Sequence, residues 1–144
     1  MDRDTRGEQV DVDTLLDSTL ESVDRAEEMV VEAAKRAAIN EDDALSLGMA
    51  VRECTVNAVV HGNRYNVNKK VHLTIARTSD QLIIKVADEG EGFELADLPD
   101  PVAEENLLRH SGRGIFIIRA FTDDFQVRRM SPTGTEVTLT KNVT

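Results

Sequence analysis

Glu53 and Asn57 stand four residues apart in the stretch RECTVNAVVHGN, residues 52–63. In a helix that spacing puts both side chains on one face, a turn apart, and His61 continues the stripe. The pair offers a carboxylate able to accept a proton and an uncharged amide oxygen suited to a hard cation such as Mg²⁺. A bare E-x-x-x-N also describes an ordinary solvated helix face, so the pair gains meaning only from the groups that accompany it along the chain. His61 reads as a residue that caps or packs the helix end. Cys54 reads as a small buried apolar side chain.

Further along, DEGEGF (residues 88–93) follows an apolar alternating run. Asp88 has the parity of Leu82, Ile84 and Val86, so its carboxylate is aimed at the buried side and needs a donor there. An exocyclic amine such as that of adenine would supply one. Gly90 and Gly92 allow a sharp turn and close backbone approach to a ligand, although D-x-G also simply closes strands. SGRG (residues 111–114) then feeds an apolar run. Glycines before a helix leave backbone N–H groups facing an anion, and Arg109 and Arg113 could add charge-assisted bonds to phosphate oxygens. The same residues also suit a plain hinge. Gly134-Thr135 opens the last alternating run, with Thr135 on the parity of Val137 and Leu139. Neither G-x-x-x-x-G-K-[ST] nor G-x-G-x-x-G occurs, which excludes the two commonest nucleotide motifs.

These residues need a scaffold, and the periodicity supplies one. Val12–Asp17 reads as a short edge strand. Ser18 and Glu21 have capping-box spacing, and a helix follows to about Ala38. Its buried stripe is Val23, Ala26, Val30, Ala33 and Ala37, with Glu27, Glu28 and Lys35 left to solvent. Asn40 and Asp43 mark a second helix start. That helix runs to about His61 on a core stripe of Ala44, Leu47, Val51, Cys54 and Ala58, and Gly62 stops it. From Lys70 the period becomes alternating. Val71–Leu73–Ile75 and Leu82–Ile84–Val86 form one hairpin, turning at residues 78–80, and the runs around Val127 and Val137 form another, turning at residues 131–134. Between the hairpins lies a long stretch, residues 92–113, with the character of a functional lid. Residues 114–121 (GIFIIRAF) read as a short apolar helix. The fold class is α+β, with helices on one face of an antiparallel-rich sheet.

The 144 residues carry 27 acidic against 17 basic side chains, a net charge of −10. That balance speaks against a reader of nucleic-acid backbones. The acidity is uneven: residues 1–50 hold 14 acids and 5 bases. The stretch from residue 51 onward is nearly neutral, and it carries all the candidate groups. One cysteine and three scattered histidines give no disulfide and no zinc spacing. The opening MDRDTRGEQVDVD has no apolar run, so neither a signal peptide nor a membrane span is expected. The organisation is read as a flexible segment over 1–12 and a single domain over 13–144, in a soluble, cytoplasmic protein.

Each motif is common, but their order is not. ECTVNAVVHG, DEGEGF, a lid, SGRGIF and GTEV succeed one another over residues 53–139. In this the chain resembles the GHKL ATP-binding superfamily, with its successive N, G1, G2 and G3 boxes. The small size, the form RECTVNAVVHGN and the lid PDP…ENLLRHSGRGIFII resemble the RsbW/SpoIIAB-type anti-sigma-factor serine kinases within it. The resemblance implies a two-layer α/β sandwich of the Bergerat type, with an antiparallel-rich mixed sheet and a long ATP lid. It implies ATP and Mg²⁺, with Glu53 as catalytic base and Asn57 holding Mg²⁺ among the triphosphate oxygens. Asp88 would pair with the adenine amino group, with Gly90 and Gly92 shaping the pocket and Thr135 supporting adenine recognition. Gly112 and Gly114 would close the lid over the phosphates. Family members often place a basic residue directly before the serine-glycine pair, where this chain has His110. Arg109 lies one residue further off, and Arg113 sits between the two lid glycines.

The implied activity is transfer of the ATP γ-phosphate to a serine or threonine of an antagonist protein, by a kinase that otherwise sequesters a sigma factor. Such kinases are typically homodimers and touch neither nucleic acid nor membrane. Two alternatives stand beside this reading. One is an ATP-binding, partner-sequestering module with negligible transfer. The other is a histidine-kinase catalytic domain, although the chain has no room for a phosphoacceptor helical hairpin.

Overall fold

A computed structural model of the chain describes residues 8–90, 114–130 and 132–143. In order they form β1 (Gln9–Asp17), α1 (Leu20–Arg36), α2 (Glu41–Val56), a π-helical segment (Asn57–Gly62), β2 (Lys70–Arg77) and β3 (Gln81–Ala87), followed by α3 (Gly114–Phe121), β4 (Asp124–Arg129) and β5 (Thr135–Asn142). The strands make one sheet in the order β1-β2-β3-β5-β4. All four pairings among the described residues are antiparallel, with no parallel member of the kind a mixed sheet would have.

Alternation along the strands decides which face is covered. Leu16 opposes Val71, Leu73 opposes Val86, and Ile84 opposes Leu139. These side chains are buried together with Val23, Ala26, Val30 and Ala33 of α1 and Ala44, Leu47, Val51 and Cys54 of α2. The expected stripes of both helices thus form one core with a single sheet face. Val10 and Leu15, at 55% and 64% exposure, look outward from β1. The hairpin turn between β2 and β3 closes through Thr78, whose N–H donates to Gln81 O at 2.9 Å and whose Oγ1 accepts from the N–H of Asp80 and Gln81.

Several boundaries differ from the sequence expectation. The first strand begins at Gln9, so residues 9–12, expected to be flexible, are paired with β2. A bulge between Val10 and Val12 absorbs Asp11, whose carboxylate lies 3.2 Å from Arg77 Nε. The expected capping box on Ser18 does not form. Ser18 is buried, donating to Lys69 O and accepting from Asn63 Nδ2, so capping passes to Thr19, whose side chain accepts from Ser22 N–H. Glu27, expected in solvent, is half-buried and 2.9 Å from Arg52, which also bonds Asp24 at 2.7 Å. The Asn40 cap holds as expected, accepting from Asp43 N–H at 2.8 Å.

Helix α1 ends in a Schellman motif. Ile39 N–H donates to Ala34 O and Ala38 N–H to Lys35 O, both at 3.0 Å. The residue that turns the chain is Ala38, at φ 67°. A Cβ in that left-handed region costs about 1–2 kcal/mol, partly offset in glycine by backbone entropy. Ala38→Gly should therefore stabilise the protein by roughly 0.5–1 kcal/mol, read as a rise in the denaturation midpoint at unchanged m-value. A fall would show that the turn does not limit α1.

Candidate functional site

The site is built where the end of the α2 rod meets the strand ends of β3 and β5. Asp88 follows β3 directly, and its N–H donates to Thr135 O at 2.9 Å, extending the β3–β5 ladder by one rung. Its carboxylate keeps the inward parity of Leu82, Ile84 and Val86. Oδ1 accepts the N–H of Gly90 at 2.9 Å, which folds the chain back over the side chain. Three glycines make room for this arrangement. A Cβ on Gly62 would lie 2.5 Å from the Asp88 carboxyl, and one on Gly90 would lie 2.0 Å from Gly62 O. Gly134 has φ +109°, and a Cβ there would sit 2.2 Å from Asp88 O.

Gly62 is brought to this point by the π-helical turn. Asn63 N–H donates to Ala58 O at 2.8 Å, an i→i−5 bond that inserts one extra residue into the turn. The stripe begun by half-buried Glu53 and Asn57 therefore does not pass straight through His61, which is exposed. The expectation that His61 continues their face is corrected by the wider turn. The expected glycine stop becomes instead the surface against which the Asp88 carboxyl rests. Cys54, between Glu53 and Thr55, is fully buried, and burial pushes its thiol well above the ordinary range. It packs as a small apolar group, as its place in the stripe suggested.

Burial pushes the Asp88 carboxyl up from 3.8 to about 6. The backbone N–H groups of Gly90 and Thr135 and the charge of Lys69 pull the other way, while Glu89 adds repulsion. The result is a strong acceptor that is only partly solvated. Thr135 is half-buried at the start of β5, on the core-facing parity of Val137 and Leu139. Gly114 is the first residue of α3, as expected for a glycine feeding a helix. Gly92, Arg109, Gly112 and Arg113 lie outside the described residues, so the lid and its phosphate contacts are not part of this geometry. Gly62 and Gly134 belong to the site although their spacing singled out neither: one reads as a helix stop and the other as a turn residue.

The described groups offer a half-buried acceptor beside a glycine-lined wall, with a carboxylate and an amide oxygen higher on the adjoining rod. A carboxylate and one amide suit Mg²⁺, which completes its shell with phosphate and water oxygens. Among the described residues no group of three or more His, Cys, Asp or Glu could hold a metal by itself. No helix among them is long and apolar enough to cross a membrane.

This combination of antiparallel sheet, covering helices and aspartate seated on glycines has a recognisable class. The model of the histidine kinase-like ATPase domain matches residues 16–141, and the chain belongs to that family. Particular relatives narrow the comparison. The anti-sigma F factors of Bacillus velezensis and Bacillus subtilis are each 28% identical to this chain over 104 residues, 71% of either length. The serine-protein kinase RsbW of Oceanobacillus iheyensis is 29% identical over 100 residues, covering 65% of this chain and 63% of that protein.

The raised Asp88 value carries a stability signature. The unfolded carboxyl loses its proton near the ordinary 3.8, the folded one near 6. The folded state therefore binds more protons between those values, and stability falls as pH rises through that window. The contribution lost by pH 7 is roughly 2–3 kcal/mol. Asp88→Asn should flatten this dependence and be more stable than the parent at pH 7 but not at pH 4. Chemical denaturation at the two pH values, with carbon-detected NMR of the carboxyl, checks both statements. A midpoint near 4 for Asp88 would contradict them.

Proposed function

We propose that this chain is an ATP-dependent serine/threonine protein kinase that switches partners, binding a sigma factor or its antagonist and phosphorylating the antagonist. The observation that carries the nucleotide half of this reading is the Asp88 carboxyl, held half-buried on Gly62 with Gly90 and Gly134 packed around it. Such an acceptor matches the amino group of adenine and leaves the glycine wall flat enough for a ring. The names of the anti-sigma F factors and of the RsbW serine-protein kinase support the regulatory half. Homodimer formation belongs to the same proposal.

In this reading Asp88 accepts from the adenine amine, while Gly90, Gly92 and Thr135 shape the base site. Asn57 holds Mg²⁺ through its amide oxygen, and the ion supplies positive charge at the triphosphate. Gly112 and Gly114, with Arg109 and Arg113, close on the phosphates. Glu53 takes the proton of the acceptor hydroxyl as that oxygen bonds to the γ-phosphorus. ADP leaves with the electron pair of the broken bond. The glutamate is placed for this by the rigid last turn of α2, whose Thr55 hydroxyl donates to Val51 O at 2.8 Å.

Incubation with Mg·ATP and a small antagonist bearing the acceptor serine should yield phosphoserine on that protein. Glu53→Gln should cut transfer about 100-fold or more, with ADP affinity within about threefold of the parent. Transfer unchanged by the substitution would place the base elsewhere. Tight ATP-dependent antagonist binding without transfer would instead establish the sequestering module.

Nucleotide affinity should also follow the ionisation of Asp88. Protonation removes the acceptor, so ADP binding should weaken as pH falls below about 6, approaching tenfold per pH unit. Calorimetric titration between pH 5 and 7.5 measures this. A flat profile would remove Asp88 from adenine recognition.

A further inference from the structure

We propose that Asn63 is a positioning residue for the adenine site, its buried carboxamide fixing the Asp88–Gly90 turn against the end of the π-helical segment. The inference deepens the nucleotide-binding reading above and rests on it. Asn63 is 3% exposed, yet every strong hydrogen-bonding direction of its side chain is used. Oδ1 accepts the N–H of Glu89 at 2.8 Å. Nδ2 donates to Lys70 O at 3.0 Å and to Ser18 Oγ at 2.9 Å. Ser18, also 3% exposed, passes its own proton to Lys69 O. Only one orientation of the amide satisfies these partners, with oxygen toward the donor and nitrogen toward the acceptors.

The consequence for Asp88 comes from which peptide groups are held. Its own N–H is tied to Thr135 O on β5. The next N–H, that of Glu89, is tied to Asn63 at the end of the α2 rod. Two successive peptide groups are thus anchored to two different elements, which sets the direction of the carboxyl between them. The Glu89 side chain adds a third tie, accepting Lys70 N–H at 2.9 Å. Asn63 joins four segments at one point: the π-helical segment, the corner between β1 and α1, the start of β2, and the turn after β3. An apolar residue here would leave Lys70 O and Glu89 N–H unpaired in the interior, and the turn would leave its glycine seat to find water.

The test uses Asn63→Ala and Ser18→Ala in the full chain, each checked for folding by its thermal transition. ADP and GDP affinities are measured by calorimetry and the Asp88 carboxyl by NMR. Asn63→Ala should weaken ADP binding about tenfold or more and lower the preference for ADP over GDP, since the effect acts through the base. The Asp88 midpoint should fall toward 3.8 as the carboxyl gains water. Ser18→Ala, which removes one support and leaves the Glu89 contact, should weaken ADP binding about two- to fivefold. A folded Asn63→Ala protein with ADP affinity within twofold of the parent and an unchanged Asp88 midpoint overturns the proposal. If that variant does not fold, Ser18→Ala decides, and unaltered ADP affinity overturns it. A parent protein that binds no adenine nucleotide would sink the functional reading, whereas the Asp88 midpoints would still test the positioning.

Discussion

The Asp88 carboxyl and the Cα of Gly62 approach so closely that no methyl group fits between them. That contact sets terms for elements far apart in the chain. Residue 62 must lack a side chain, and the rod of α2 must deliver it at the right rotation, which the π-helical turn accomplishes. The turn after β3 must fold back at Gly90, and β5 must begin beneath Asp88 with a backbone that only Gly134 adopts easily. A carboxylate so enclosed loses hydration, and the N–H groups of Gly90 and Thr135 restore only part of it. The shifted ionisation of Asp88 is therefore a direct product of how the sheet and the rod are packed.

Electrostatics tie the two halves of the chain together in a similar way. The acidic excess of residues 1–50 suggested a strongly negative surface remote from the site. In the folded molecule much of it faces bases from the later half: Asp11 lies beside Arg77, Asp17 beside Lys70, and Asp24 and Glu27 beside Arg52. Exposed pairs of this kind contribute about 0–1 kcal/mol each. Their larger effect is to leave fewer unpaired charges on α1 than the sequence count implies.

Much of this architecture was legible in the sequence because burial imposes a period. The stripe Ala44–Leu47–Val51–Cys54–Ala58 and the alternations around Ile75 and Ile84 each have one solution that hides their apolar atoms. Asp88 was legible for the same reason, since parity aims it inward from a strand of known facing. Boundaries set by single hydrogen bonds were harder to read. Ser18 and Thr19 are equally good caps, and only the distant Asn63 and Lys69 decide between them. The π turn leaves no mark in the apolar pattern, because Ala58 and Val59 are buried on either side of the change. Gly62 and Gly134 look like punctuation until the residue pressed against them is known.

The same turn ties the length of the chain to its chemistry. A π-helical turn is an α-helix holding one residue too many. Losing any single residue between Asn57 and Gly62 would let the segment rewind to ordinary α geometry. Everything beyond it would then rotate by about 100° relative to the rod. Gly62 would leave Asp88, and a larger side chain would swing into its place, although no core residue of the sheet had changed. Substitution is thus the gentler kind of change along most of α2, and at its end even a one-residue deletion would dismantle the seat of the carboxyl.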